Sequence, residues 1–174
     1  MRAWLQPSPI GSLAVAVDGE AVVRIDLSGD LGRLLAAAPD PHAVEILERA
    51  PTRGVAKELD GYFAGRLRTF TVPVDLSSVG GFHREALQAV YDEVGYGDVA
   101  SYGEVAAMAG RPLAARAVGQ AMNRNPVPVI VGCHRVLAAD GSLHGFGTGG
   151  LETKRRLLEI EGVVPTRLNL PAAG

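Results

Sequence analysis

The sequence predicts a mixed α/β (α+β) protein, in which a small N-terminal domain of β-sheet and helix precedes a mostly helical C-terminal domain with a helix-turn-helix. Three observations support this class. Two β-prone runs flank an Asp-Gly turn near the start, helical spacing of apolar residues dominates after residue 80, and small residues fill the stretch between these regions. A chain of 174 residues is long enough for one or two small domains.

The first strands are predicted at residues 12–17 and 21–27, because β-prone residues there flank Asp18-Gly19-Glu20. Asp-Gly between two such runs is a strong hairpin signal. Residues 28–51 are rich in Ala and Leu but are interrupted by Pro39 and Pro41, so short helices or loops are expected there.

One helix and a third strand complete the expected N-terminal domain. Thr52 is predicted to cap a helix that runs through Val55, Leu59 and Phe63 and ends at Ala64-Gly65. Residues 68–74 then alternate between polar and apolar side chains, which predicts a strand. The small and Gly-rich residues 75–81 indicate a domain boundary, so we expect domains at residues 1–78 and 79–174.

The second domain should begin with a helix over residues 82–94 and continue with a helix-turn-helix. Ser101 and Glu104 have the spacing of a capping box, which predicts a helix from Ser101 to Gly110. Pro112 suits the first turn of the next helix. The face of that helix expected to be buried comprises Leu113, Ala117, Val118 and Ala121.

The single cysteine lies in the most distinctive stretch of the chain, residues 126–136. A short buried strand is predicted at Val129, Ile130 and Val131, and Gly132 ends it. This strand would hold Cys133 in a defined position, and His134 and Arg135 follow it in the sequence. A histidine or a cation next to a thiol favours the reactive thiolate. A lone cysteine among valines is nevertheless most often a small core residue.

Composition limits the other functions. One cysteine excludes an intramolecular disulfide, and four scattered histidines argue against a zinc site. The N-terminus has no long apolar segment, so we expect a cytoplasmic protein without a membrane anchor. The net charge is −2, but residues 101–156 hold seven basic and three acidic residues, a local charge of +4 that leaves −6 elsewhere. Such a cluster is typical either of a solvated face or of a DNA-binding face.

Residues Cys133-His134-Arg135-Val136, preceded by residues 115–119 (Ala-Arg-Ala-Val-Gly) and by Asn125-Pro126, resemble the O6-alkylguanine-DNA alkyltransferases. The resemblance extends from Phe82 to Gly162 and is weaker around residues 62–65. That family has the signature Pro-Cys-His-Arg-Val, so Gly132 departs from it. Glycine leaves the backbone looser than proline does, and we expect this to admit bulkier alkyl groups.

The resemblance implies a role for each matching residue. Cys133 would accept the alkyl group, His134 would act as a base through water, and Glu161 would orient His134, with an expected thiol pKa below about 8.5. Tyr102 would disturb the target phosphate and protonate the leaving guanine. Asn125 would tie the helix-turn-helix to the active-site loop. In the helix before Glu161, Glu152, Lys154, Arg155 and Arg156 are expected on exposed turns.

The same resemblance implies a DNA surface and a substrate pocket. The second helix would enter the minor groove, where Arg116 replaces a base that has rotated out of the stack. The DNA-binding residues would be Arg116, Ala115, Tyr102, Arg124 and Arg135. The pocket would be formed by Gly132, Val136, Phe146 and Gly147. Its wall would be the loop of residues 141–150, which is one residue longer than usual before Gly149-Gly150 and has Phe146 where tyrosine is common.

The implied function is DNA repair by a single, irreversible transfer from O6-alkylguanine in double-stranded DNA to Cys133. No cofactor is expected, and the protein should act as a monomer. Two alternatives remain open at this point. One is a DNA-binding sensor of alkylated bases that transfers nothing, although relatives of that kind replace the cysteine. The other is a Cys-His hydrolase, which would turn over repeatedly.

Overall fold

The computed structural model of the chain describes residues 1–145 and 147–163, with only the backbone at Thr148. It contains two compact units, and the predicted mixed α+β class is confirmed. The first unit comprises Met1–Val79 with Pro126–Ile130, and the second comprises Gly80–Asn125 with the described residues from Val131 onward. Within the described part of the chain, no helix has both the length and the apolar character needed to cross a bilayer.

The first unit is built on a four-stranded sheet of order β3-β2-β1-β4. Strands β1 (Arg2–Gln6), β2 (Leu13–Asp18) and β3 (Ala21–Asp26) are antiparallel, and β4 (Glu45–Ile46) is parallel to β1. The predicted hairpin is therefore confirmed, and Gly19 in its turn has a φ of 58°. Strand β1 was not predicted, although buried Trp4 and Gln6 place it in the core.

Two helices accompany this sheet. Helix α1 (Leu31–Ala36) is capped by Asp30 and packs Leu34 against Ala3, Ala14 and Ala16 of the sheet. Helix α2 (Val55–Phe63) follows the prediction in extent and in its buried Leu59. Its N-cap is Gly54, however, and not Thr52 as predicted.

The predicted strand over residues 68–74 is wrong. Only Val74 forms a single bridge, to Val22. The Glu58 carboxylate accepts the backbone N–H groups of Thr71 at 2.9 Å and Val72 at 3.3 Å, and Pro73 has no N–H to give. With those donors taken or missing, the segment cannot pair as a strand, although Phe70 and Val72 are buried as the alternation predicts.

The second unit contains the helices α3 (Gly81–Glu93), α4 (Tyr102–Met108), α5 (Ala115–Asn123) and α6 (Gly150–Ile160). A short parallel pair joins β5 (Ala100–Ser101) to β6 (Val136–Leu137). The capping box of α4 is confirmed, because Glu104 N–H donates to Ser101 Oγ at 3.2 Å and Ser101 N–H donates to Glu104 Oε2 at 2.7 Å.

The start of α5 corrects two predictions. Pro112 lies in the turn before the helix and not in its first turn. Leu113 is fully exposed, with a relative exposure of 101%, whereas Val118 and Ala121 are buried as expected. The helix begins only at Ala115, so Leu113 precedes it and lies outside its packing face.

The predicted strand at Val129–Val131 is also wrong. All three residues are buried, but Val129 has a φ of 77°, a left-handed conformation that strains a β-branched residue. A buried turn and a buried strand both require apolar residues, and a short apolar run cannot distinguish between them.

Candidate active site and DNA-binding groove

Cys133 is presented by two consecutive tight turns in the second unit. Its N–H donates to Val131 O at 2.7 Å, and Gly132 between them has φ −71° and ψ 51°, which is an inverse γ-turn. A 3₁₀ turn, Cys133–Arg135, follows directly. All three of its side chains are buried, since Cys133 is 3%, His134 0% and Arg135 6% exposed.

Among the residues that the structure describes, His134 has a hydrogen-bond partner at one of its two ring nitrogens. Its Nε2 lies 2.7 Å from Glu161 Oε1, and within the described chain its Nδ1 is buried without a hydrogen-bond partner. Burial lowers the pKa of His134, and Glu161 only partly opposes that change. The neutral ring therefore donates Nε2–H to the carboxylate, which leaves the Nδ1 lone pair available to accept a proton.

Arg135 holds the same carboxylate from its other side. Its Nε lies 3.0 Å from Glu161 Oε2, its Nη2 lies 3.0 Å from Oε1, and its Nη1 donates to Val94 O at 2.7 Å. Burial alone would raise the pKa of Glu161, but hydrogen bonds from His134 and Arg135 and the positive charge of Arg135 hold it well below its usual range. Arg135 is thus committed to Glu161 inside the protein, which corrects its assignment as a DNA contact.

The pKa of the Cys133 thiol differs from the expectation. Burial raises its pKa, whereas the Asn125 side chain, Lys154 and Arg135 lower it by smaller amounts. The resting thiol is consequently protonated, and the expected pKa below about 8.5 is not found. Asn125 does link α5 to the active-site loop, because its amide donates to Val131 O at 3.0 Å and its side chain hydrogen-bonds Cys133.

Lys154 is the site residue that sequence reasoning missed. It was expected on an exposed turn of α6, but it is 1% exposed and its Nζ donates to Val136 O at 2.6 Å and His144 O at 3.0 Å. Burial lowers its pKa to about 8, while Cys133 acts in the opposite direction. Helical spacing from Leu151 and Leu158 would have placed Lys154 on the packing face.

The presence of glycine at position 132 has a steric explanation that the sequence did not reveal. A Cβ at this position would lie 2.7 Å from Arg135 Nη1, 2.8 Å from its Cδ and 2.9 Å from its Cζ. Its φ is one that any residue can adopt. In this chain, the Arg135 side chain lies directly against the Gly132 backbone and fills the space that a Cβ would occupy.

A groove of about 470 Å³ runs beside α5. It is lined by Tyr102, Ala115, Arg116, Gly119, Asn123, Ala138, His144 and Gly145. Arg116 is exposed there, and small side chains around it leave room for close approach. Tyr102 O–H donates to His144 O at 3.4 Å, and burial followed by the proximity of Cys133 raises the pKa of Tyr102.

The remaining predicted residues lie around these groups. Val136 is buried in β6, and Gly147 N–H donates to Asn123 Oδ1 at 3.4 Å. Arg124 is exposed, and its Nη1 lies 3.3 Å from His83 Nδ1. Phe146 lies outside the described residues. Across residues 1–145 and 147–163, no group of three or more His, Cys, Asp or Glu side chains could hold a metal ion.

Comparison with protein families gives two matches that together cover most of the chain. Residues 1–76 match the ribonuclease-like domain of 6-O-methylguanine DNA methyltransferase, and residues 81–163 match its DNA-binding domain.

Individual proteins show the same similarity. The methylated-DNA–protein-cysteine methyltransferase of Mycobacterium leprae is 40% identical over 155 residues, 88% of each chain. That of Haemophilus influenzae is 37% identical over 89% of this chain and 83% of its own. Among solved structures, Mycobacterium tuberculosis OGT in complex with DNA has a TM-score of 0.79 at 36% identity, covering 95% of this chain and 96% of that one.

Proposed function

The chain belongs to the 6-O-methylguanine DNA methyltransferase family, and we propose that Cys133 is the residue that accepts the alkyl group. Its activity is that of a methylated-DNA–protein-cysteine methyltransferase, which binds DNA and repairs it by alkyl transfer to cysteine. Cys133 is the only cysteine in the chain, so the transfer has a single available acceptor.

The free Nδ1 of His134 is the observation that carries the mechanism. Its Nε2 donates to the ionised Glu161 carboxylate, so the buried imidazole can act as a general base through the Nδ1 lone pair. We assign His134 to take the Cys133 proton through a water molecule. The thiolate then attacks the alkyl carbon in line, forming the S–C bond as the C–O bond to guanine breaks.

The departing guanine needs a proton, and Tyr102 is the residue we assign to supply it. Its raised pKa keeps the phenol protonated until the leaving group develops negative charge. Lys154 supports the thiolate, because its buried ammonium lowers the pKa of Cys133. A thioether has no good leaving group, so each molecule acts once.

The groove beside α5 is our candidate for the DNA surface. Arg116 would enter the duplex and occupy the position of the flipped guanine, with Ala115 allowing α5 to approach and Arg124 lying further along. Flipping a base costs a few kcal/mol, and a side chain that fills the vacancy offsets part of this. We infer that the substrate is O6-alkylguanine in double-stranded DNA and that Gly132, Val136 and Gly147 bound its pocket.

We also infer the organisation of the whole chain. Residues 1–78 serve as a scaffold, and residues 79–174 carry DNA binding and alkyl transfer. We infer that the protein acts as a monomer. We infer that the protein acts in the cytoplasm, because its substrate is DNA and its relatives include bacterial and archaeal proteins.

Intact-mass measurement after incubation with DNA containing O6-methylguanine tests this proposal. We expect the mass of one methyl group per protein molecule, mapped to Cys133 and missing in Cys133→Ser. Methylation elsewhere would contradict the assignment. DNA binding without any mass gain would favour the sensor, and product exceeding the protein in amount would favour the hydrolase.

A further inference from the structure

Three residues of the loop after β6 form a hydrogen-bonded chain that the alkyl transfer does not use. Ser142 Oγ lies 2.6 Å from Asp140 Oδ1 and 2.9 Å from His144 Nε2, and Ser142 N–H also donates to Asp140 Oδ1 at 2.9 Å. Ser142 is 1% exposed, whereas Asp140 and His144 are exposed. The serine therefore links two solvent-facing groups through the interior of the loop.

The direction of these hydrogen bonds follows from the carboxylate. Side-chain and backbone hydrogen bonds from Ser142 lower the pKa of Asp140, so Asp140 is ionised and can only accept. The single hydroxyl proton of Ser142 goes to Asp140. Ser142 Oγ must then accept from His144, so Nε2 carries a proton and Nδ1 is the ring nitrogen left for a partner.

The backbone of His144 is held as firmly as its ring. Its carbonyl accepts from Lys154 Nζ at 3.0 Å and from Tyr102 O–H at 3.4 Å. His144 also lines the groove that contains Arg116. The imidazole is held at Nε2 and the backbone at its carbonyl, so the exposed ring is placed to contact whatever the groove binds.

We propose that His144 binds a phosphate of the DNA backbone in this groove, positioned by Asp140 through Ser142. This inference rests on the proposed function and adds a DNA contact to it. Phosphate has no proton to donate at neutral pH, so Nδ1 makes the contact only when the imidazole is protonated and Nδ1–H donates. Contacts of this kind, between a histidine and a phosphate, are in general stronger at acid pH.

The charged and titratable groups around His144 agree with an anionic ligand. Asp140 faces it from the same loop, Tyr102 from α4, Arg116 from α5 and Lys154 from α6. Asp140 is occupied by Ser142 and Lys154 by two carbonyls. Among the groove residues that the structure describes, Arg116 and a protonated His144 are the cations.

The salt dependence of binding to an unmodified duplex tests this contact with the complete chain. Each phosphate neutralised contributes about 0.9 to the slope of log K against log salt concentration. For the unsubstituted protein, we expect a slope steeper by up to about 0.9 at about pH 6 than at about pH 8.5. His144→Ala should lose this difference, and Ser142→Ala should reduce it by freeing the ring.

His42→Ala is the matched control, because His42 is an exposed histidine on a 3₁₀ turn that also follows an aspartate. It should retain the full pH-dependent difference in slope. Equal slopes at both pH values for the unsubstituted protein, or an unchanged difference in His144→Ala, would overturn the proposal. An equal loss of affinity in His144→Ala at both pH values would also overturn it, since it indicates packing and not charge.

Alkyl transfer is measured separately, by the intact mass of the unsubstituted protein after reaction with free O6-benzylguanine and with alkylated duplex. If no alkyl group is transferred from either substrate, the proposed function fails. The slopes on unmodified DNA still decide the role of His144 in that case, so the two failures are distinguishable.

Discussion

Substitution of Gly132 by alanine should destabilise the protein, although alanine replacing glycine stabilises many sites. The added Cβ would lie 2.7–2.9 Å from three atoms of Arg135, and Arg135 cannot easily withdraw. It is buried, donates to both oxygens of Glu161 and to Val94 O, and so is fixed at every polar atom of its fork.

The loss of stability in Gly132→Ala depends on whether the backbone at residue 132 or the Arg135 side chain moves. If the backbone shifts and Arg135 stays, the change is an overpacked core, which costs about 1–3 kcal/mol. If Arg135 is displaced, Glu161 loses its cation in the interior, and a broken buried pair costs about 3–5 kcal/mol. The first response is the less costly, so we expect a loss of about 1–3 kcal/mol for Gly132→Ala.

Gly132→Pro should lose stability as well. The φ of −71° suits proline, which alone would favour a gain of about 0.4–1 kcal/mol through the unfolded state. The proline ring nevertheless places its Cβ in the same contact with Arg135. A smaller penalty than that of alanine is the expected net result. If Gly132 sets pocket tolerance, the ratio of methyl to benzyl transfer rates should also rise in this variant.

Urea denaturation measures the change in the free energy of unfolding. Gly103→Ala is the matched control, because Gly103 lies in α4, an added Cβ meets only Ser101 Oγ at 3.9 Å, and alanine should gain about 0.5–1 kcal/mol there. Equal or greater stability of Gly132→Ala relative to the unsubstituted protein would refute the reasoning. It would mean that Arg135 moves aside without cost.

Three further predictions concern separate parts of the second unit. Arg116→Ala should slow repair of duplex DNA far more than reaction with free O6-benzylguanine, because only the duplex must be unstacked, and equal losses in second-order rate constants would contradict this. Lys154→Met should raise the pKa of Cys133, because it removes a nearby cation. The pH at which the thiol begins to react rapidly with a thiol reagent should therefore be higher than in the unsubstituted protein, and coincident pH profiles would exclude the effect. Ser101→Ala should lower the free energy of unfolding by about 1 kcal/mol through loss of the α4 cap, and an unchanged urea midpoint would show that the cap contributes nothing.

Local patterns predicted the local structures. The Asp-Gly hairpin and the capping box at Ser101 depend on residues within a few positions of each other, and both form as predicted. The strand over residues 68–74 failed because of Glu58, a residue more than ten positions earlier that takes its N–H donors. No periodicity reveals such a competitor.

In the active site, too, features set by neighbouring residues were predicted and features set by distant contacts were missed. The adjacency of Cys133 and His134 is visible in the sequence, and family resemblance indicated Glu161. The contact of Arg135 with Glu161 was missed because an arginine next to a histidine can point to solvent or to the interior with the same sequence. For Lys154, the residue type, which normally indicates exposure, outweighed a helical spacing that indicated burial.

Burial gives the resting site a mostly neutral form with a cation already in place. It raises the pKa of Cys133 and lowers that of His134, so both are uncharged, while Arg135 and Glu161 compensate each other. Lys154, with a pKa of about 8, is mostly charged at neutral pH. A thiolate formed here would meet that ammonium in a medium of low dielectric constant, where their attraction is stronger than in water. A protein that reacts once gains from this arrangement, because a protonated thiol resists wasteful reactions until a proton acceptor and the alkylated base are both in position.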